Sequence, residues 1–299
     1  MWTTLRGAVL SNRIFAGALL VFATACATAG TPAPRLKMVD VNAPRMVIGI
    51  NDAFHSPLPP EIAAHYCDTG RDIVLRAPVL SADQATALRQ SVASCPRIRV
   101  LLLVENADEA LVASLAASLQ KSQGLPPVWG VELGNERDLA GLTPQQFGAF
   151  VGGSRDALRA AGFTGNIVTG GIYTVDRHEP QDFAAYLAPA IAACSDCVIG
   201  LHWYGDTSDT WLARVQALER PVAITEFGMP SCTAAQDDAQ LAYLREKLTA
   251  FARIPALAAI VYQRPSAPEP CNNSDASHLA HFGLQRPNGS WKPGEAILR

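Results

Sequence analysis

Two glutamates set out what this chain could do. Glu136 follows the run VWGVELGN at 128–135, and Glu226 lies within PVAITEFGMP at 221–230. Both runs are short and apolar and are followed by Gly or Pro, the pattern of a strand buried on both faces. Each glutamate falls at the carboxyl end of its run, and the two are ninety residues apart. Two carboxyl groups on different strand ends are the minimum set for cleaving a glycosidic bond with retention. One is protonated and donates to the leaving oxygen. The other is ionised and attacks the anomeric carbon, and the two carboxyl groups should lie about 5–5.5 Å apart. An arginine beside the nucleophile favours its charged form, and a tyrosine hydroxyl can donate to it. Arg76, which ends DIVLR, and Tyr204, in VIGLHWYG, are suited to those jobs. Strand alternation puts His202 on the same face as Tyr204, and Asp72 and Val74 on the face of Arg76.

The elements that must position these residues alternate regularly. Strand-like runs span Met46–Asn51, Asp72–Arg76, Ile98–Val104, Val131–Leu133 with its flanks, Asn166–Tyr173, Val198–Gly205, Val222–Phe227 and Leu257–Gln263. Between them, helical patterns cover Glu61–Tyr66, Ala82–Ala93, Asp108–Ser122, Pro144–Ala161, Pro180–Ala193, Ser208–Glu219 and Ala234–Arg253, and a short helix near Gly294–Leu298 closes the chain. Thr143-Pro144 opens one helix and Gly162 closes it. Eight such alternations in the 255 residues from Arg45 to Arg299 match an α/β (β/α)8 TIM barrel in count and length. A doubly wound open sheet would announce a Gly-rich turn after its first strand, and NDAFHSPLPP at 51–60 is not one. In a barrel the carboxyl ends of the strands converge on one pocket, so Arg76, Asn135, Glu136, His202, Tyr204 and Glu226 are expected together.

The N-terminus reads as an address rather than as fold. Arg6 and Arg13 precede the apolar run Ile14–Ala25, too short for a bilayer, which needs about 20 residues, and suited to a secretory signal over residues 1–25. The run ends Ala23-Thr24-Ala25-Cys26, which resembles the lipobox of bacterial lipoproteins, with Cys26 as the lipidated residue; ordinary cleavage near Ala25 is the alternative. Residues 26–44 read as a tether and 45–299 as the catalytic domain. Export to the periplasm, an outer-membrane lipid anchor or the medium follows, with a lipid anchor as the sole membrane contact. Six further cysteines, Cys67, Cys95, Cys194, Cys197, Cys232 and Cys271, are an even number, as an oxidising compartment favours. Fifteen pairings are open. Local pairing is expected: Cys67 with Cys95, Cys194 with Cys197, Cys232 with Cys271.

The composition narrows the partners. Of 299 residues, 49% are hydrophobic and 17% charged, and the formal net charge is −3. No basic stripe is present, so no nucleic-acid partner is expected. The slightly positive mean hydropathy of +0.12 reflects Ala and Leu in amphipathic patterns.

Gly-Asn-Glu at 134–136, His-Trp-Tyr-Gly at 202–205 and Thr-Glu-Phe-Gly at 225–228 together resemble glycoside hydrolase clan A. These are retaining (β/α)8 enzymes with one catalytic glutamate after the fourth strand and one after the seventh. The resemblance implies Glu136 as acid/base, Glu226 as nucleophile and Asn135 as the ligand of the hydroxyl beside the anomeric centre. Arg76 matches the arginine that many members carry at the end of the second strand, and His202 and Tyr204 match a pair on the sixth. The tail HFGLQRPNGSWKPGEAI from His281 is similar to the closing segment of such enzymes. Members often place a Trp at the end of the eighth strand. Here Tyr262-Gln263-Arg264 stands there, so Tyr262 could replace the platform, and Arg264 suggests an acidic sugar. The implied substrate is an oligo- or polysaccharide, and the chain is read as a monomer without cofactor or metal.

Plainer roles stand beside these. Arg76 could simply pair with Asp72 or Glu132; Glu132 and Glu105 are further pocket carboxylates, Glu132 the deeper. Trp203, Trp129 and Trp291 suit packing. Phe54 and His55 could line the cleft from the first loop. His278 and His281 lack a third metal ligand. The competing functions are a cell-surface carbohydrate-binding barrel, non-catalytic or transglycosylating, and a metal-dependent barrel hydrolase.

Overall fold

The structure is a computed structural model that describes residues 45–52, 57–122, 124–173, 182–263, 281–286 and 288–299. Eight strands alternate with seven α-helices among these residues. They are β1 (Val47–Asp52), α1 (Pro60–Asp68), β2 (Ile73–Pro78), α2 (Ala82–Ser91), β3 (Ile98–Val104), α3 (Glu109–Lys121), β4 (Val128–Asn135) and α4 (Pro144–Ala160). There follow β5 (Asn166–Gly171), α5 (Asp182–Ala193), β6 (Ile199–His202), α6 (Asp209–Gln216), β7 (Val222–Phe227), α7 (Ala234–Phe251), β8 (Ala256–Gln263) and a 3-10 segment, Pro293–Leu298. The strands pair in parallel in the order β5-β4-β3-β2-β1-β8-β7-β6. Parallel bridges Val168–Val198 and Ile172–Leu201 join β5 to β6, so the sheet comes round on itself as a (β/α)8 barrel.

Local chemistry starts the helices where the sequence places them. Thr143 and Gln146 form a reciprocal capping box with Pro144 in the first turn of α4. Ser81 accepts from the Gln84 amide at α2, and Asp108 from the Leu111 amide at α3. Apolar residues between the strands and helices form the larger core, which includes Ile50, Leu75, Leu102, Val131, Phe147, Leu201, Ile224 and Phe251. Inside the barrel a second cluster of Val74, Leu101, Trp129, Val168, Val198, Ala223, Ala258 and Ile260 fills the lower layers. Above it the same inward face turns polar. Asn51 of β1 is in register with Arg76 of β2 and Tyr262 of β8, and His202 of β6 with Glu226 of β7.

Several boundaries differ from the sequence expectation. β2 runs two residues past Arg76, so Arg76 sits within the strand rather than ending it, and Asp72 lies outside it, exposed. β6 stops at His202, after a register shift between Leu201 and His202. Beyond that point Trp203 turns outward: its amide donates to the Glu226 carbonyl, its indole Nε1 to Asp206 O, and its ring packs on Phe251. Tyr204 therefore lies in the loop after the strand. β5 likewise ends at Gly171 instead of Tyr173. Disulfides join Cys67 to Cys95 and Cys194 to Cys197. Cys232 is disulfide-bonded as well. Cys271, Cys26, and the expected signal and tether lie outside the described residues.

Candidate active site

Glu226 is the most heavily supported carboxylate at the carboxyl end of the barrel. Its Oε1 accepts from Arg76 Nη1 at 2.6 Å and from Asn51 Nδ2 at 3.2 Å. Its Oε2 accepts from the Tyr204 hydroxyl at 2.8 Å. The residue is 7% exposed. Burial alone would push its pKa up. The charges of His202 and Arg76 and the hydrogen bonds from Tyr204 and Arg76 outweigh burial and hold the carboxyl below its ordinary range.

Arg76 ties the site together from within. It is 1% exposed, and besides Glu226 it reaches Glu132 from Nε at 2.5 Å and Nη2 at 3.2 Å. Nη2 also donates to Asn135 Oδ1 at 2.8 Å. Burial works against its charge, but Glu132 and Glu226 raise its pKa above the usual value, so the guanidinium is a permanent cation here. Glu132 in turn accepts from the Gly171 amide at 3.2 Å. The plain pairing with Glu132 and the pairing with Glu226 thus occur on one guanidinium, whereas Asp72 faces Arg97 at 4.0 Å.

Glu136 stands across from Glu226. Its backbone has φ of 46°, a left-handed conformation that is uncommon for a non-glycine residue and is found at functional sites. Its amide donates to the Gly171 carbonyl at 2.8 Å, which holds the turn. His202 lies between the two carboxylates: Nδ1 is 2.9 Å from Glu136 Oε1 and 3.6 Å from Glu226 Oε2. Burial lowers the His202 pKa, and Glu226 and Glu136 more than reverse that, so it is raised overall. The ring lies directly over Gly171, where a Cβ would come 2.3 Å from Nε2. Glu136, His202 and Glu226 bring one ligand atom each within 4.8 Å of one another, a spacing that could also admit a divalent cation, although the Arg76 charge beside Glu226 opposes one. The Tyr204 hydroxyl is pushed well up by burial and by the Glu226 charge, so it stays a donor.

No family model matches the chain. A cell surface mannoprotein of Candida albicans is 27% identical over 181 residues, 57% of this chain. The match spans about half that relative's length, 47%. Among solved structures, an exo-β-1,4-mannosidase from Opitutaceae bacterium strain TAV5 superposes with a TM-score of 0.60 at 16% identity, over 90% of this chain and 61% of that one. A family GH128 endo-β-1,3-glucanase from Lentinula edodes gives 0.59 at 17% over 85% and 99%. A family 17 β-1,3-glucanosyltransferase from Rhizomucor miehei gives 0.59 at 15% over 83% and 96%. The structural neighbours are glycoside hydrolases with TIM-barrel folds. At such identities the likeness is one of fold.

The structure thus brings Arg76, Asn135, Glu136, His202, Tyr204 and Glu226 into one cluster. Tyr262 stands half-buried at the rim beside Asn51, in edge contact with Phe282. His55, Phe54, Arg264 and His278 lie outside the described residues. Glu105 is exposed and contributes its backbone carbonyl, which accepts from the Asn135 amide at 3.0 Å. Trp129 packs in the barrel interior, and Trp291 stacks on His65 at 3.8 Å. Two participants escaped the sequence reading: Asn51 and Gly171. Asn51 carried a usable signal, a polar residue ending the apolar run MVIGIN. Gly171 carried none, since it matters through contacts with distant strands. Phe282 is legible only as part of the tail HFGLQRPNGSWKPGEAI, without a role at the site.

Proposed function

We propose that this chain is a retaining glycoside hydrolase in which Glu226 is the nucleophile and Glu136 the acid/base. The observation that carries the reading is that an oxygen of Glu136 and an oxygen of Glu226 lie within 4.8 Å of each other. That spacing suits direct attack, at about 5–5.5 Å, rather than the about 6.5–9.5 Å needed to admit a water between the carboxyl groups.

Glu226 is kept ionised by Arg76, His202 and Tyr204, and Glu136 lies across from it. In the first step Glu226 attacks the anomeric carbon, the glycosidic C–O bond breaks, and the Glu136 proton goes to the leaving oxygen. In the second, Glu136 takes a proton from water, the water oxygen bonds to the anomeric carbon, and the ester to Glu226 breaks. Loss of the negative charge on Glu226 in the ester lowers the repulsion that Glu136 meets and fits its switch from acid to base. In this reading Asn135, whose Oδ1 accepts from Arg76 Nη2, binds the hydroxyl next to the anomeric carbon.

The substrate class proposed is a β-linked oligo- or polysaccharide, supported by the activities of structural neighbours that include a β-mannosidase, a β-glucanase and a β-glucanosyltransferase. Export is proposed too, with a signal over 1–25, lipidation at Cys26 and a tether to residue 44. Two disulfides and the cell-surface name of the sequence relative support it.

The test is time-dependent inactivation by a panel of activated 2-deoxy-2-fluoro β-glycosides, followed by peptide mapping. An adduct on the peptide holding Glu226 is expected. An adduct on another carboxylate overturns the assignment, and glycan binding that survives Glu226→Ala without any turnover in the wild type favours a binding barrel instead.

A further inference from the structure

Behind β7 the protein buries a set of polar groups that the proposed chemistry does not use. Lys292 is 4% exposed, and its Nζ donates to Ser231 O at 2.9 Å and His281 O at 3.0 Å. The Ser231 amide donates to the same His281 carbonyl at 3.1 Å. Gln240 of α7, fully buried, donates from Nε2 to Met229 O at 2.7 Å and to Phe282 O at 3.2 Å. Asp237 accepts from Ser231 Oγ at 2.5 Å and pairs with Arg286. Burying an ammonium group is expensive, and a tail that needed only to be covered could pack with apolar side chains. Lys292 and Gln240 thereby tie the carbonyls of His281 and Phe282 to those of Ser231 and Met229 in the β7–α7 loop, and Asp237 braces Ser231.

Phe282 is what this clamp presents to the site. Its ring centroid is 5.7 Å from Tyr204 at 90° and 5.7 Å from Tyr262 at 87°, edge-to-face in both cases. Tyr204 is the residue that donates to Glu226. Gly228, directly after β7, leaves the space: a Cβ there would meet Phe282 Cδ1 at 2.8 Å. Phe282 is half-buried, as is Tyr262 beside it. Phe282 thus reaches Glu226 through Tyr204, and an apolar ring so placed suits the C–H face of a pyranose.

We propose that Phe282, contributed by the tail, forms with Tyr262 an aromatic corner that holds the sugar over Glu226, and that Lys292 is a positioning residue acting through Phe282. The proposal rests on the glycosidase reading.

The experiment compares wild type, Phe282→Ala, Phe282→Tyr, Lys292→Met and the Phe282→Ala/Lys292→Met pair as full chains, using as substrate the activated glycoside with a 2-hydroxyl whose 2-fluoro counterpart labels Glu226. Phe282→Ala is expected to lower kcat/KM about tenfold, mainly through KM, with Phe282→Tyr within about twofold of wild type. Lys292→Met is expected to lower kcat/KM by itself but to add nothing in the Phe282→Ala background, while still lowering the melting temperature there. Unchanged KM in Phe282→Ala, or losses that multiply in the double variant, would overturn the proposal while leaving the glycosidase reading intact. A wild type that neither hydrolyses nor binds any glycan overturns both. If Phe282→Ala does not fold, Phe282→Leu, which keeps most of the volume and removes the ring, takes its place with the same expected result.

Discussion

Replacing Arg76 with methionine should be the most revealing single change in the barrel. Arg76 is 1% exposed, and its guanidinium makes four hydrogen bonds, two to Glu132, one to Glu226 and one to Asn135. Methionine fills much of the volume but leaves Glu132 and Glu226, 0% and 7% exposed, without the guanidinium that pairs with both, and with His202 as the remaining positive partner of Glu226. Removing one partner of a buried pair costs about 3–5 kcal/mol, because the remaining charge is uncompensated. At about 2–4 °C per kcal/mol for a domain of this size, the melting temperature at pH 7 should fall by about 6–20 °C.

The pH dependence carries the sharper test. In the wild type the Glu226 pKa is depressed, so its contribution to stability is present above the unfolded pKa, about 4.3, and is lost as pH falls through the lower folded value. Without Arg76 that contribution shrinks, since burial alone raises the carboxyl. The gap in stability between wild type and Arg76→Met should therefore be full near pH 7 and close as pH falls below about 4. Urea unfolding of both proteins from pH 3.5 to 7.5 measures it. Adding Glu132→Gln should restore part of the lost stability and none of the activity, because Glu226 still lacks its cation. A deficit under about 1 kcal/mol at pH 7, or one that does not vary with pH, would refute the view that buried charge pairing organises this site.

Other consequences are more local. Tyr204→Phe deletes a hydrogen bond that lowers the Glu226 pKa, so the acid limb of the kcat/KM profile should move to higher pH; an unmoved limb would dissociate Tyr204 from Glu226. Gly171→Ala sets a methyl 2.3 Å from His202 Nε2, and overpacking of this kind costs about 1–3 kcal/mol. With His202 displaced from Glu136, kcat should drop along with the melting temperature, and unaltered kcat would argue against a role for that contact. Glu226→Ala should reduce turnover by at least about 10⁴-fold while keeping glycan affinity, as read by isothermal titration. Removing the Cys67–Cys95 bridge with two serines opens a loop of 28 residues, worth about 3–4 kcal/mol by chain entropy, and should appear as an equivalent loss in urea unfolding.

Much of this protein is written in its one-dimensional pattern. Continuous apolar runs separated by amphipathic stretches determine a parallel sheet covered by helices, because strands buried on both faces have no polar alternation to show. Glu136 and Glu226 are legible for the same reason: a carboxylate closing an apolar run must leave the core at the strand's end. Cysteine pairs close in sequence, Cys194 with Cys197 above all, needed little folding to meet. Tertiary structure decided the rest. That Arg76 pairs with Glu132 and Glu226 together depended on strand register, since a slip of one residue in β2 would turn it out of the barrel. The short β6, which delivers Tyr204 from a loop, followed from a register shift that no local sequence marks. Gly171 and Phe282 have their meaning from residues tens of positions away, and the buried Lys292 is intelligible only once the tail has docked. Local propensity acts over a few residues, whereas a site of this kind is a sum of contacts between strand ends that only barrel closure brings within hydrogen-bonding reach.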